Sequence, residues 1–312
     1  MTRLKLIVNP AAGGGTARRS VPAIERELTA RGAVFDLEYT ERPLHAVGLA
    51  RRAAGEGYDA VVAVGGDGTA NEVLNGIMEA KRGGEGDAAL GVICVGRGND
   101  FAFAAGIPQG LADGCAALVE GRRRTVDVGR VSGPELPAER FFGNGVGIGF
   151  DTVVGLEAAK LKRLRGFAGY FVAALKTIFL YFRAPQVRVE REGEPFEGKA
   201  LMVSIMNGRR LGGGFMVAPE GSMADGEFDL CIAQEVSRLR IFALIFRFMR
   251  GTQAGHWAIH TCRTEHVSAT ALDGSLPAHA DGELLCEAGS RLDVTLVPGA
   301  LDVICRRQEG AS

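Results

Sequence analysis

No stretch of this 312-residue chain carries a long run of one charge, and its 36 Lys and Arg nearly balance 37 Asp and Glu, leaving a net charge of −1. A protein that grips nucleic acid through its phosphates normally needs a basic excess, so no nucleic-acid partner is expected. No two of the six cysteines (Cys94, Cys115, Cys231, Cys262, Cys286, Cys305) have metal-ligand spacing. They read as reduced, mostly buried residues of a cytoplasmic protein. The longest apolar run, Gly166 to Leu175, falls short of the about 20 residues that span a bilayer. Met1 to Pro10 read as the approach to a strand rather than as a signal peptide. No Walker A lysine motif, no Gly-x-Gly-x-x-Gly fingerprint and no internal repeat is present.

Glycine is the residue in excess: there are 45, about twice the usual share of roughly 7%. With 46% hydrophobic residues and no Gly-X-Y period, collagen and disorder are excluded. Tight turns or backbone brought close to a ligand remain as explanations.

The pattern along the first 130 residues alternates apolar strands (Leu4–Val8, Val34–Tyr39, Ala60–Val64, Leu90–Val95) with amphipathic helices (Thr16–Arg31, Ala46–Ala54, Ala70–Ala80, Leu111–Glu120). That order predicts a mostly parallel sheet covered on both faces. After Gly129 short alternating segments take over, from Phe141–Phe150 to Arg291–Val297 and Leu301–Arg306, separated by turn pairs such as Asp225-Gly226 and Asp281-Gly282. A mainly antiparallel, sandwich-like β domain is expected there. The expected organisation is two domains, 1–129 and 130–312, with the strand near 300–306 able to return to the first.

Three glycine-rich turns follow predicted strands of the first domain: Asn9 to Gly15, Gly65-Gly66-Asp67-Gly68-Thr69, and Gly96-Arg97-Gly98-Asn99-Asp100. In a parallel sheet such turns share the carboxyl edge, where ligands bind. Glycine lets backbone N–H groups approach a polyphosphate, and the helix behind adds partial positive charge. The spacing Thr69-Ala70-Asn71-Glu72 predicts a capping box opening that helix. Without a P-loop lysine, triphosphate charge falls to backbone amides and Mg²⁺, with Asp67 holding the metal through water.

With these residues in place, the chain resembles the diacylglycerol kinase catalytic-domain family, and within it the soluble bacterial lipid kinases. The resemblance is carried by Asn9-Pro10 with Gly13, Thr40 with His45-Ala46, Val64 to Glu72, Gly98-Asn99-Asp100-Phe101-Ala102, and Gly106-Ile107-Pro108. It continues through Gly147-Ile148-Gly149-Phe150-Asp151, Ala218-Pro219, Asp225 to Asp229 and Asp281-Gly282-Glu283. Gly-Gly-Asp-Gly alone is shared with NAD kinases and sphingosine kinases. The resemblance implies transfer of the γ-phosphate of ATP to a lipid hydroxyl. By the same resemblance, ATP is held by Asn9, Gly13, Thr40, Gly65, Gly66, Asp67, Gly68, Thr69, Ala70 and Asn71, with Arg97, Asn99 and Asp100 alongside. Glu283 is implied as the base, with Asp281 and Asp67 organising water and Mg²⁺ around the transferred group. Burial against lipid is expected to raise the pKa of Glu283. A structural metal site is implied at Asp225 with carbonyls of Ser222 and Glu227. Two departures stand out: Arg97 where the family usually has a small hydroxyl residue, and Ala12 for a common serine.

Basic and aromatic residues mix in Leu161–Arg183 and Ile241–Arg250. Such helices can lie on an anionic lipid surface, at the inner membrane face, or pack their apolar sides on the β domain. The alternatives to a lipid kinase are a kinase of a soluble hydroxyl acceptor and a non-catalytic nucleotide- or lipid-binding protein. A homodimer is left open.

Overall fold

The structure, a computed structural model, describes residues 2–96, 98–160, 172, 176 and 184–306. Two units divide the chain: residues up to Asp127 joined by those from Pro298 onward, and Val128–Val297. The first holds β1 (Arg3–Val8), α1 (Ala12–Ala30), β2 (Val34–Tyr39), α2 (His45–Gly55), β3 (Ala60–Gly65), α3 (Asp67–Gly83), β4 (Ala89–Cys94), α4 (Asp100–Ala105) and α5 (Leu111–Glu120). Its strands run parallel in the order β2-β1-β3-β4. Every residue of β3 and β4 is buried, as the unbroken apolar runs required. Leu6, Val8, Val62 and Ile93 pack with Val21, Ile24 and Leu28 of α1 in one core.

The second unit takes up β5 (Arg122–Ser132) near its middle, then adds β6 (Arg140–Phe142), β7 (Gly145–Gly149), α6 (Phe150–Lys160), β8 (Gln186–Glu190), β9 (Phe196–Met206) and β10 (Phe228–Gln234). After α7 (Arg238–Arg250) come β11 (Ile259–Thr264), β12 (His266–Asp273), β13 (Leu276–Ala280), β14 (Glu283–Gly289) and β15 (Arg291–Cys305). Neighbours in the path β14-β13-β7-β9-β8-β12-β15 pair antiparallel, as do β10 with β9, β11 with β10 and β6 with β5. Phe142 stacks on Phe228 with centroids 5.7 Å apart, inside a core with Val146, Ile205, Val267 and Leu292.

The α/β half with its parallel sheet and the antiparallel β half are the fold class that the sequence implied. Three local expectations change. Phe141–Phe150 is not one strand: it breaks between β6 and β7, and Phe150 opens α6 after Gly149 turns the chain at φ 96°. The strands expected at Arg291–Val297 and Leu301–Arg306 are one, β15, running straight through Pro298-Gly299. Its last part lies parallel to β4, pairing Val303 with Leu90. The long helix expected through Arg183 begins as α6, and its basic-aromatic part, 161–171 and most of 173–183, lies outside the described residues.

Candidate functional site

The spatial order β2-β1-β3 means that the chain leaves β1 towards one side and later returns on the other. Crevices at such reversals, outside the carboxyl ends of the strands, are where open α/β sheets bind ligands. The loops in question lie there. Asn9 ties two of them together: its N–H donates to Val64 O (3.1 Å), its Oδ1 accepts from Ala11 N (3.1 Å), and its Nδ2 donates to Thr69 Oγ1 (3.1 Å). Asn9 was expected to hold ATP; the structure shows its amide bridging the first and second glycine loops. Thr40, buried at the end of β2, donates its N–H to Val8 O (2.9 Å).

Gly13, Gly14 and Gly15 all adopt positive φ (61°, 67°, 86°) before α1 becomes regular, a run that residues with a Cβ rarely sustain. A Cβ on Gly13 would stand 2.4 Å from Val95 O. The second and third loops meet backbone to backbone. A Cβ on Gly96 would lie 2.5 Å from Gly66 Cα, and one on Gly66 would lie 3.1 Å from Gly96 Cα. Val95 N–H donates to Gly65 O (2.9 Å), carrying the β3–β4 ladder into the loops.

α3 starts at Asp67, two residues earlier than Thr69 allows as a cap. Gly66 holds its N-cap position and no side chain caps it. The expected capping box therefore does not form, because Thr69 already sits in the helix and is bonded to Asn9. Glu72 does other work, accepting from Leu44 N and Ala46 N (3.0 Å each) and so capping α2 from the side. Ala70 and Asn71 follow, buried in the first turns of α3.

Two carboxylates converge on the third loop. Asp67 Oδ1 accepts from Phe101 N (3.2 Å), while the point where Gly98 lacks a Cβ lies 2.9 Å from Asp67 Oδ2 and 3.4 Å from Asp100 Oδ2. Asn99 turns this loop in the left-handed region, φ 50°, with Nδ2 donating to Gly96 O (3.4 Å). Carboxylate oxygens beside an uncapped helix N-terminus suit a hard divalent cation bridging to phosphate. Burial, and then the charge of Asp67, pushes the Cys94 thiol at the end of β4 up to about 12, so it stays protonated. Arg97 lies outside the described residues.

In the second unit, Asp281 (φ 49°) and Gly282 (φ 83°) form a two-residue turn joining β13 to β14, both central residues having the positive φ of a type I′ hairpin. The buried Asp281 carboxylate accepts three backbone N–H bonds, from Gly143 (Oδ2, 2.8 Å) and from Asn144 and Gly145 (Oδ1, 2.8 and 3.0 Å). Most of its acceptor sites are thus committed within this unit. Asp281 was expected to organise water and Mg²⁺; the structure gives it the work of pinning the hairpin to the β6–β7 turn. Glu283, the expected base, is exposed beside it.

His279, which no sequence pattern marked, and Asp151, the last residue of the motif from Gly147, support this turn. His279 Nδ1 accepts from Gly282 N (3.3 Å), which leaves the proton on Nε2, 3.5 Å from Asp151 Oδ2. That oxygen is buried and otherwise without a hydrogen bond. A Cβ on Gly147 would fall 2.0 Å from it and 2.4 Å from His279 Nε2, so glycine makes room for the pair.

Around Asp225, which was expected to meet a metal, the structure places a guanidinium. Arg263 Nη1 lies 3.8 Å from both Asp225 Oδ2 and Glu227 Oε2, and its Nε lies 3.6 Å from Asp229 Oδ1. Ser222 Oγ accepts from Ala224 N (3.3 Å) and Asp225 Oδ1 from Glu227 N (3.4 Å). Burial lifts the Asp229 carboxyl above its ordinary range despite Arg263. Among the described residues no three His, Cys, Asp or Glu side chains are arranged to hold a metal.

Comparison with known proteins matches residues 3–131 to the diacylglycerol kinase catalytic domain and residues 144–305 to the YegS C-terminal NAD kinase beta sandwich-like domain. A diacylglycerol kinase of Staphylococcus saprophyticus is 28% identical over 282 residues, covering 90% of this chain and 88% of that protein. One from Staphylococcus aureus is 29% identical, covering 90% and 86%. A crystal structure titled as a diacylglycerol kinase of Bacillus anthracis superposes with a TM-score of 0.72 at 21% identity, covering 97% of both chains. At that identity the superposition speaks for the fold alone. The two domain matches span nearly the whole chain, which therefore belongs to the diacylglycerol kinase catalytic-domain family, with a YegS-type second domain.

Proposed function

We propose that this kinase transfers the γ-phosphate of ATP to the hydroxyl of a lipid, diacylglycerol or a related glycerolipid or sphingoid lipid. The observation that carries the reading is the meeting of three glycine loops at the carboxyl edge of a parallel sheet, beside the reversal in strand order. In this reading the first domain, 1–129, holds ATP. Gly13 in the first loop and Asp67 to Thr69 at the uncapped start of α3 offer backbone N–H groups to the phosphates, Gly65, Gly66, Ala70 and Asn71 shape the loop around them, and Thr40 and Asn99 line the approach. Asp67 and Asp100 would hold Mg²⁺, which when bound neutralises charge on the phosphates. Domain 130–312 presents the acceptor.

Glu283 is the proposed base. The lipid oxygen bonds to the γ-phosphorus, its proton passes to the Glu283 carboxylate, and the bond from that phosphorus to the β–γ bridging oxygen breaks, releasing ADP. Asp281 and His279 act as positioning residues, since both hold the turn from which Glu283 projects. The loop at Ser222, Asp225 and Glu227 is proposed as a structural metal site, Asp225 and two backbone carbonyls being the donors that would hold the ion, with Arg263 at its edge.

Incubation with ATP radiolabelled at the γ-position and a panel of acceptors tests the reading: diacylglycerol, monoacylglycerol and sphingosine in detergent micelles, and NAD in solution. Label on a lipid is expected. Label on NAD alone, or on nothing while nucleotide binds, would replace the reading with a soluble-acceptor kinase or a binding protein.

A further inference from the structure

We infer that α7 and Trp257 form a docking surface for an anionic bilayer. The inference rests on the lipid-kinase reading for its biological sense and on different residues for its evidence. α7 is amphipathic in two senses. Ile241, Leu244, Ile245 and Phe248 are buried against Met202, Met206, Leu211 and Val217, giving the usual core stripe. On the opposite side, Leu239, Ala243 and Phe246 follow one another at four- and three-residue spacing and are exposed. Leu239 is 82% exposed and Phe246 48%, among the most exposed large apolar side chains described.

Arginines bracket this outer stripe. Arg238 lies to one side, Arg240 and Arg247 to the other, and Arg250 at its end; α7 contains no acidic residue. Glu235, just before the helix, is paired with Lys199 at 3.5 Å. In a chain of net charge −1, four positive charges on thirteen residues are a local concentration. The lone tryptophan, Trp257, is 60% exposed, and the Arg240 guanidinium lies over its ring at 5.5 Å.

Apolar residues pointing outwards, flanked by arginine and accompanied by an exposed tryptophan, are the composition of a helix lying in a lipid headgroup layer. A protein partner would need acidic groups ringing an apolar insert; an anionic bilayer supplies both at once. Contact of this kind also answers a need. No described helix is long and apolar enough to cross a membrane, while the proposed acceptor resides in one.

Because Trp257 is the sole tryptophan, its emission reports on this surface and no other. The test mixes the full chain, without ATP, with vesicles of phosphatidylcholine alone or containing phosphatidylglycerol. A blue shift and quenching by brominated lipid are expected with the anionic vesicles and largely absent with the neutral ones. Arg247→Gln with Arg250→Gln should weaken binding by more than tenfold, since each arginine near such a surface is worth about 1 kcal/mol, or about fivefold. Leu239→Ser with Phe246→Ser should abolish the blue shift, and the unfolding transitions of both variants should stay near that of the native chain, although Arg247→Gln gives up the bond from Arg247 Nη1 to Thr252 O (3.2 Å). Unchanged emission with anionic vesicles, equal response to both, or dependence on α7 only for binding another protein would overturn the inference. Phosphorylation of lipid dispersed in detergent is read separately. Loss of vesicle binding with that activity intact defeats only this surface, and the converse defeats only the kinase reading.

Discussion

Replacing Asp281 by asparagine separates two jobs that a carboxylate in this motif could have. In the structure its oxygens accept N–H bonds of 2.8, 2.8 and 3.0 Å from three successive residues, Gly143 to Gly145. Bonds to a charged group contribute about 1.5–3 kcal/mol each, roughly twice a neutral bond. Asparagine keeps the shape and tolerates the left-handed backbone at φ 49°, so local strain hardly changes. Its carbonyl oxygen can keep the bonds from Asn144 and Gly145 at about half strength. Its NH₂ then faces the Gly143 N–H, donor against donor, and a buried unsatisfied donor costs about 1–3 kcal/mol. Relief of the buried charge offsets part of this, so a net loss of about 3 kcal/mol is expected. For a unit of this size that corresponds to a fall of about 6–12 °C in Tm. Scanning calorimetry with urea denaturation gives the number directly. A loss below about 1 kcal/mol, with activity abolished, would show that the carboxylate serves a bound ligand rather than the hairpin, and the pinning argument would fail.

Gly96→Ala places a methyl where Gly66 Cα stands at 2.5 Å, so the two loops must part by nearly 1 Å; nucleotide affinity measured by calorimetry should fall by about 10²-fold, as misplacements of that size do. Retained affinity would mean that the loops do not act as one cradle. Glu72→Gln removes the charge that caps α2, and a loss of about 1 kcal/mol in urea unfolding is expected, with the same change absent if the carboxylate is idle. His279→Ala should lower kcat while leaving the KM for ATP near its native value, and His279→Asn, which can still accept from Gly282 N, should recover part of it. A change in KM alone would assign His279 elsewhere.

Long apolar runs made the first sheet legible: Ala60–Val64 and Leu90–Val95 could only be strands buried on both faces. β5, β11 and β14 were not legible, because Arg122-Arg123-Arg124, His260-Thr261 and Glu283 put polar side chains on faces that the sheet leaves in solvent. Pro298-Gly299 falls between the two strands expected at Arg291–Val297 and Leu301–Arg306, yet β15 passes through it: Gly299 takes φ 56° while its N–H is held by Asp127 Oδ1 at 2.7 Å, a long-range bond invisible to local pattern. The glycine loops were legible because a Cβ is excluded there by backbone, a constraint local enough to mark the sequence. What each polar side chain does inside them was not. Asn9, Glu72 and Asp281 turned out to hold one segment against another, and the partners lie 60, 28 and 138 residues away. Arg263 and His279, the partner of Asp151, carry no local signal for the same reason.

The central claim is that a lipid hydroxyl receives the γ-phosphate with Glu283 taking its proton. The most direct measurement is the rate of label transfer from γ-labelled ATP to micellar diacylglycerol by the native chain and by Glu283→Gln, with nucleotide affinity measured on both. The account predicts labelled lipid from the native chain, turnover lower by about 10²–10⁴-fold in the variant, and equal affinity for ATP. Equal turnover by the two proteins, or no label on lipid from the native chain, would contradict it.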